Sequence, residues 1–536
     1  MNRTRGAPPA ACGTLVLLAA ACSAGCDGTG APAAAEERSV AAPALVARAP
    51  AVRAAPAPTP TTTDVREPAA VVPNDERLRI YARAFRAWIY SEPRPRSEKL
   101  GYVRGGGVLL ATSGRVGSAG CAGGWYAVEP RGFVCVGVTA TLNGSDPAVV
   151  ALSGGAPDLK RKLPFIYGMV RNAGPFYQGL PSRAELEISE PELWERMPVW
   201  LSLPGQTGAG YAQHVWLGRE GPAPDPAELW REQRTLDLPS FLRENRWLPT
   251  TDPKRAPDAI VAGQMRGRAG YSFLRTFVWQ GRRYGLTPDL SLAPTDRFRP
   301  IQGSDFRGVE IGSEIELPFA FVRRMGGRFW RYDAAARSLS DAGEAAYRRA
   351  VQLTGKQEFF RGRLHYETRD GKWLTDEYAS RVDATRRMPA WAINGERWLD
   401  INLSRQTLLA YDGVRPVFAT LISSGEAGLE DPAHTTATKR GIFRIHTKHV
   451  SSTMSSTEAG EEFELRDVPY VQYFDEGYAL HGAYWHDRFG MPKSHGCINL
   501  SPTDARRLFE FTEPRLPSGW HAALLPLKGT VVFVHP

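Results

Sequence analysis

The alternation in Trp398-Leu399-Asp400-Ile401-Asn402-Leu403 is the feature that most restricts how this chain folds. Successive side chains of an extended strand leave opposite faces, so a period of two demands a strand packed on a core. Thr407 to Tyr411 and Val417 to Ile422 are strand-like too, with Asp412-Gly413 as the turn between them. Ile442-Phe443-Arg444-Ile445 continues the sheet, and Val531-Val532-Phe533-Val534 reads as a buried closing strand. One helix is predicted among them. Ser501 caps it, Pro502 suits its first turn, and Asp504 completes a capping-box-like spacing. Ala505, Leu508 and Phe509 form its apolar face. Residues 388–536 therefore read as mainly β with minor α.

The chain has 536 residues, 43% hydrophobic and 23% charged, as in an ordinary soluble protein. At about 100–200 residues per domain it divides into roughly three to five domains. Residues 27–74 are rich in Ala, Pro and Thr and lack aromatics, which predicts a disordered tether. Arg77 to Tyr90 has helical spacing, with Leu78, Tyr81, Phe85 and Trp88 on one face. Gly124 to Val128 and Gly132 to Val136 predict two short strands joined by Glu129-Pro130-Arg131. Gly281 to Thr287 recurs in outline as Gly362 to Thr368, each followed by a turn and a second apolar strand. Pro-rich stretches such as Gly221 to Pro226 read as loops.

The formal charge is +9, but Lys and Arg are scattered with no dense basic run. No nucleic-acid partner is expected; a basic surface also suits an anionic wall or lipid. Arg3 and Arg5 precede a short apolar run, Thr14 to Ala21, that is too short to span a membrane. Cys22 follows Ala19-Ala20-Ala21 and Cys26 follows Ser23-Ala24-Gly25. This resembles a bacterial lipoprotein signal, in which one cysteine becomes the lipidated first residue. Cys22 is preferred because the apolar run ends on it; an ordinary secretory signal is the alternative. An exported, periplasmic, lipid-anchored protein is expected. In such a compartment Cys121 and Cys135 should form a disulfide, two buried thiols being the alternative.

Cys497 is the one cysteine in the last 400 residues and lies in Ser494-His495-Gly496-Cys497-Ile498-Asn499. A nearby imidazole and the start of the predicted helix would both favour its thiolate. His481 lies 16 positions earlier, in Tyr478-Ala479-Leu480-His481-Gly482-Ala483-Tyr484-Trp485-His486, and suits a base that takes the thiol proton. Gly496 allows close backbone approach, and the amides of Gly496 and Cys497 are placed to hold an oxyanion. Zinc on His481, His486, His495 and Cys497 is disfavoured by the awkward His495–Cys497 spacing and the lack of a second cysteine. An inert structural cysteine rarely sits in Ser-His-Gly. His486 reads as a surface or lid residue, and His214, His434, His446 and His449 have no partner pattern.

These residues resemble the signature of the L,D-transpeptidase catalytic family (YkuD-type) over about the last quarter of the chain. The resemblance implies that Cys497 is the nucleophile and His481 the base. It also implies that the Gly482 carbonyl fixes the His481 tautomer, and that His495 and Gly496 help shape the oxyanion site. Trp485, Asn499, Ser494, Tyr473 and Tyr484 would meet substrate, and Lys448 to Tyr473 would form a lid. One departure is the run Thr438-Lys439-Arg440-Gly441, where many members have Thr-Pro-x-Gly. The hairpins resemble SH3-like modules, expected at 75–140, 141–300 and 301–387 before a catalytic domain at 388–536; unrelated hairpins are the alternative.

The activity implied is ping-pong acyl transfer without metal or cofactor. Cys497 would attack the diamino acid–D-Ala bond of a tetrapeptide stem and pass the acyl group to an amine, giving 3→3 cross-links. Peptidoglycan stem peptides are the implied partners, and carbapenem-type lactams the implied inhibitors. A protein amine or water as acceptor, or a non-catalytic wall-binding scaffold, are the rivals.

Overall fold

The alternating run folds as the strand Arg397–Asn402. Trp398 enters one core while Leu399 and Ile401 enter another, so the strand is covered on both faces. It pairs antiparallel with Thr407–Asp412 and parallel with the chain-closing Val531–His535. Arg415–Leu421 and Gly441–Arg444 extend this sheet, which has six strands. The computed structural model describes residues 77–195, 238–250, 259–456, 463–524 and 529–536, and its architecture is mainly β. The signal, the tether, Cys22, Cys26, His214 and Gly221 to Pro226 lie outside these residues.

Five elements frame the region around Cys497. They are β1 (Thr447–Ser456), β2 (Phe463–Asp475), β3 (Tyr478–Gly482), β4 (Ile498–Leu500) and α1 (Pro502–Phe511). α1 packs Ala505, Leu508 and Phe509 into the core shared by the six-stranded sheet, β2, β3 and β4. Burying such a Leu or Phe stabilises by about 1.5–3 kcal/mol. Ser501 caps the helix, its Oγ accepting from the Asp504 amide at 3.1 Å. The Asp504 carboxylate accepts from the Gly308 amide (2.9 Å) and Thr420 Oγ1 (2.5 Å), with the Ser501 side chain also acting on it. Only half of the capping box forms.

β1 and β2 are antiparallel, from Thr447↔Tyr473 to Ser456↔Phe463. Both belong to a 15-stranded sheet. Beyond β1 it continues through Ala522–Leu524 and Lys99–Arg104 to the strands between 79 and 141; beyond β2 it continues through Gly270–Phe273 and Ile166–Val170 to Phe298–Ile301. The strands Phe298–Ile301 and Ala140–Thr141, close to where the sequence suggested module limits, are the two ends of this sheet. Residues 319–382 instead form a seven-stranded sheet with its own core around Val322, Leu353 and Leu374.

The predicted helix at Arg77 to Tyr90 is corrected by the structure. Two strands, Arg79–Ala82 and Arg86–Tyr90, occupy the segment. Ile80, Ala82, Ala87 and Ile89 are buried, whereas Leu78 and Phe85 of the supposed apolar face are 40% and 37% exposed. The burial period is two, and small alanines at core positions concealed it. The next hairpin forms where expected: Trp125–Val128 pairs antiparallel with Phe133–Cys135, and Cys121 is disulfide-bonded to Cys135. The internal echo is also geometric. Thr287 Oγ1 donates to Asp289 and accepts from the Ser291 amide, and Thr368 Oγ1 does the same with Asp370 and Lys372.

Candidate active site

β3 and β4 run parallel with Leu480↔Ile498, His481↔Asn499 and Gly482↔Leu500 in register. This pairing places the segment that carries the base against the segment that follows the nucleophile. Cys497 is a free thiol, half-buried at the start of β4. Its Sγ donates to the Gly477 carbonyl at 3.5 Å. Burial pushes the thiol up to about 11, and the Ala479 backbone beside the sulfur offsets part of that. His481 is 2% exposed, and burial pulls it down to about 4. Its Nδ1 has no partner at hydrogen-bonding geometry among the described residues. The Gly482 backbone next to the ring favours the charged form only weakly against burial. The Gly482 backbone thus acts on the ring in the expected sense, though Nδ1 does not reach full hydrogen-bonding geometry.

Ser494 builds the turn before the thiol. Its Oγ donates to the Cys497 carbonyl (2.6 Å) and accepts from the Gly496 amide (3.1 Å). Its backbone is tied to Ser424 and Glu426. Two expectations change as a result. Ser494 is buried and organises the turn, not an open pocket. The Gly496 amide, expected at the oxyanion site, is already engaged. Gly496 itself is required, since φ is +120° and a Cβ would come within 2.9 Å of the Tyr478 ring. A third expectation also fails. The three-residue strand β4, about 10 Å of extended chain, separates Cys497 from the start of α1, beyond the reach of the helix dipole.

Cys497, Tyr473, Met454, Phe463 and Trp485 fringe one apolar cluster. The Trp485 ring lies 5.7 Å from that of His481, tilted by 32°. The phenols of Tyr473 and Tyr478 are both held above their usual range, mainly by burial, with a further push from Cys497. Tyr478 was not singled out from the sequence; only the packing of Gly496 on its ring reveals it. His495 is exposed, with Phe463 5.2 Å from its ring. Tyr484 and Asn499, expected to meet substrate, are 2% and 1% exposed. Tyr484 donates to the Arg466 carbonyl at 3.1 Å. Asn499 Nδ2 lies 2.8 Å from His486 Nε2, so His486 is part of the site's wall and not a surface residue. No group of three metal-binding side chains occurs among the described residues. The turn without proline is held by Thr438, whose Oγ1 accepts from the Gly425 amide at 2.9 Å.

The family of L,D-transpeptidase catalytic domains (YkuD) matches residues 396–534. This segment is similar to L,D-transpeptidase catalytic domains. Similar solved structures include a mutant of the Enterococcus faecium L,D-transpeptidase, at 25% identity over 26% of this chain and 50% of that one, with a TM-score of 0.20. An L,D-transpeptidase from Xylanimonas cellulosilytica aligns at 24% identity over 28% of this chain and 65% of that one, TM-score 0.20. L,D-transpeptidase 3 from Mycobacterium tuberculosis aligns at 17% identity over 34% and 79%, TM-score 0.21. The chain thus spans half the length of the first of these. No curated protein matches it.

Proposed function

We propose that this chain is an exported peptidoglycan L,D-transpeptidase with Cys497 as nucleophile and His481 as base. The observation that supports this reading is the parallel register of β3 and β4, which sets the segment carrying the buried His481 against the segment that follows the free thiol of Cys497. His481 takes the thiol proton as sulfur attacks the carbonyl joining the diamino acid to D-alanine. The oxyanion is met by the Cys497 amide and the turn around His495. D-alanine leaves with the proton from His481, and a thioester remains on Cys497. A side-chain amine of a second stem then attacks, its proton passes to His481, and the thiol is restored. Trp485, Tyr473 and Tyr478 wall the donor site, with the β1–β2 hairpin as its lid. The signal at Cys22 or Cys26 exports and anchors the chain, and the repeated hairpins act as SH3-like modules toward the wall.

Two measurements test this. Incubation with a carbapenem should add one lactam mass to the intact protein, and Cys497→Ala should take up none. Muropeptide digests should lose 3→3 dimers in a Cys497→Ala strain. An adduct with unchanged dimers would transfer the reading to a protein amine or water as acceptor, while no adduct at all would favour a wall-binding scaffold.

A further inference from the structure

His486 presents a contradiction that one rotation resolves. The Arg488 backbone N–H donates to His486 Nδ1 at 3.2 Å. An amide N–H can only donate, so Nδ1 must be the bare nitrogen. The ring proton must then sit on Nε2, which also excludes the doubly protonated ring. Yet Nε2 faces Asn499 Nδ2 at 2.8 Å, a donor against a donor. At the same time Asn499 Oδ1 is buried with no hydrogen-bond partner among the described residues. Turning the Asn499 amide by half a turn removes the donor–donor clash and gives Oδ1 a partner, leaving the NH2 as the group without one, because oxygen and nitrogen of an amide are distinguished only by their partners. Oδ1 then accepts from His486 Nε2–H, and the amide NH2 takes the place the oxygen held.

We infer that His486 is a positioning residue that orients the Asn499 side chain, so that Asn499 offers N–H and not C=O from its buried place in β4, paired with His481 of β3. Asn499 lies in β4, two residues beyond Cys497 and in register with His481. Its backbone is already held by two 2.9 Å bonds to Ser423, so the amide orientation is what remains to be set. The ring of His486 is clamped between Phe489 at 5.2 Å and Trp485 at 6.0 Å. Trp485 in turn packs on His481. A donor N–H there favours an anion, whether thiolate or oxyanion, while a carbonyl would oppose it.

The inference rests on the transpeptidase reading for its rate assay but not for its structural one. In the full chain labelled with 15N at the histidine rings, His486 should show the Nε2–H tautomer, its signals assigned by their loss in His486→Gln. A Nδ1–H tautomer overturns the proposal. In carbapenem acylation, His486→Phe keeps the ring but loses the donor; its maximal rate should fall about tenfold, the worth of one buried hydrogen bond, with little change in the concentration for half-maximal rate. His486→Gln, which can donate, should recover most of the rate. An unchanged rate in His486→Phe, or equal losses in both variants, overturns it. Failure of the unaltered chain to acylate would sink the transpeptidase reading and leave the tautomer result standing.

Discussion

At neutral pH the thiol of Cys497 and the imidazole of His481 are both uncharged. Burial pulls the imidazole down to about 4 and pushes the thiol up to about 11. The resting pair is therefore not a thiolate–imidazolium pair, and the proton moves only as sulfur attacks. His481 takes up a proton when pH falls through about 4, and free thiolate appears only when pH rises through about 11. Acylation by a carbapenem, followed by stopped-flow absorbance, should be flat from about pH 5 to pH 10. An inflection near the ordinary histidine value of about 6.5 would indicate a preformed ion pair instead. The motif was legible at this scale because Ser494 to Asn499 is contiguous. The use of the Gly496 amide by Ser494 was not, since a hydroxyl's partner depends on a turn conformation that residue types do not specify.

The β1–β2 hairpin shows what an element needs beyond its own residues. Asp467 of β2 is buried, sits at φ +52°, and is held below the usual carboxylate range. Burial works against that shift, and the guanidinium of Arg104 overcomes it. Arg104 grips both carboxylate oxygens, and Ser272 and Ser451 also donate to them. Arg104 is 363 positions away in sequence. Arg104→Met should leave a buried, uncompensated carboxylate and cost about 3–5 kcal/mol, read from the urea midpoint. Adding Asp467→Leu should recover much of that loss; if the double variant is as unstable as the single one, the charge argument fails. From sequence the segment was expected only as a lid, and neither its pairing nor its anchor was legible there.

Across the molecule, the segment similar to the transpeptidase family does not own its sheet. β1 borders Ala522–Leu524, which borders Lys99–Arg104, and β2 meets Gly270–Phe273. Cutting before residue 388 would bare both flanks of this sheet and strand Asp467 without Arg104. Residues 388–536 expressed alone should aggregate or lack a cooperative thermal transition, while 75–536 should fold. Circular dichroism and size-exclusion chromatography of the two fragments check this, and a stable, monomeric 388–536 would refute it.

Local order settled much of this protein in advance. The period of two at Trp398 to Leu403, the Ser501-Pro502 helix start and the Ser-His-Gly-Cys run each act over a few residues, so the chain states them directly. The Arg77 to Tyr90 error has the opposite cause, because four apolar residues fit a helical stripe while the true core positions include two alanines. Tertiary structure alone decided which polar groups meet. The Arg104–Asp467 pair, the Asp504 contacts to Gly308 and Thr420, and the His486–Asn499 pair join segments through the fold. Backbone periodicity reports which face is buried; it says nothing of which distant donor will satisfy a buried acceptor, and that pairing shapes the environment of Cys497.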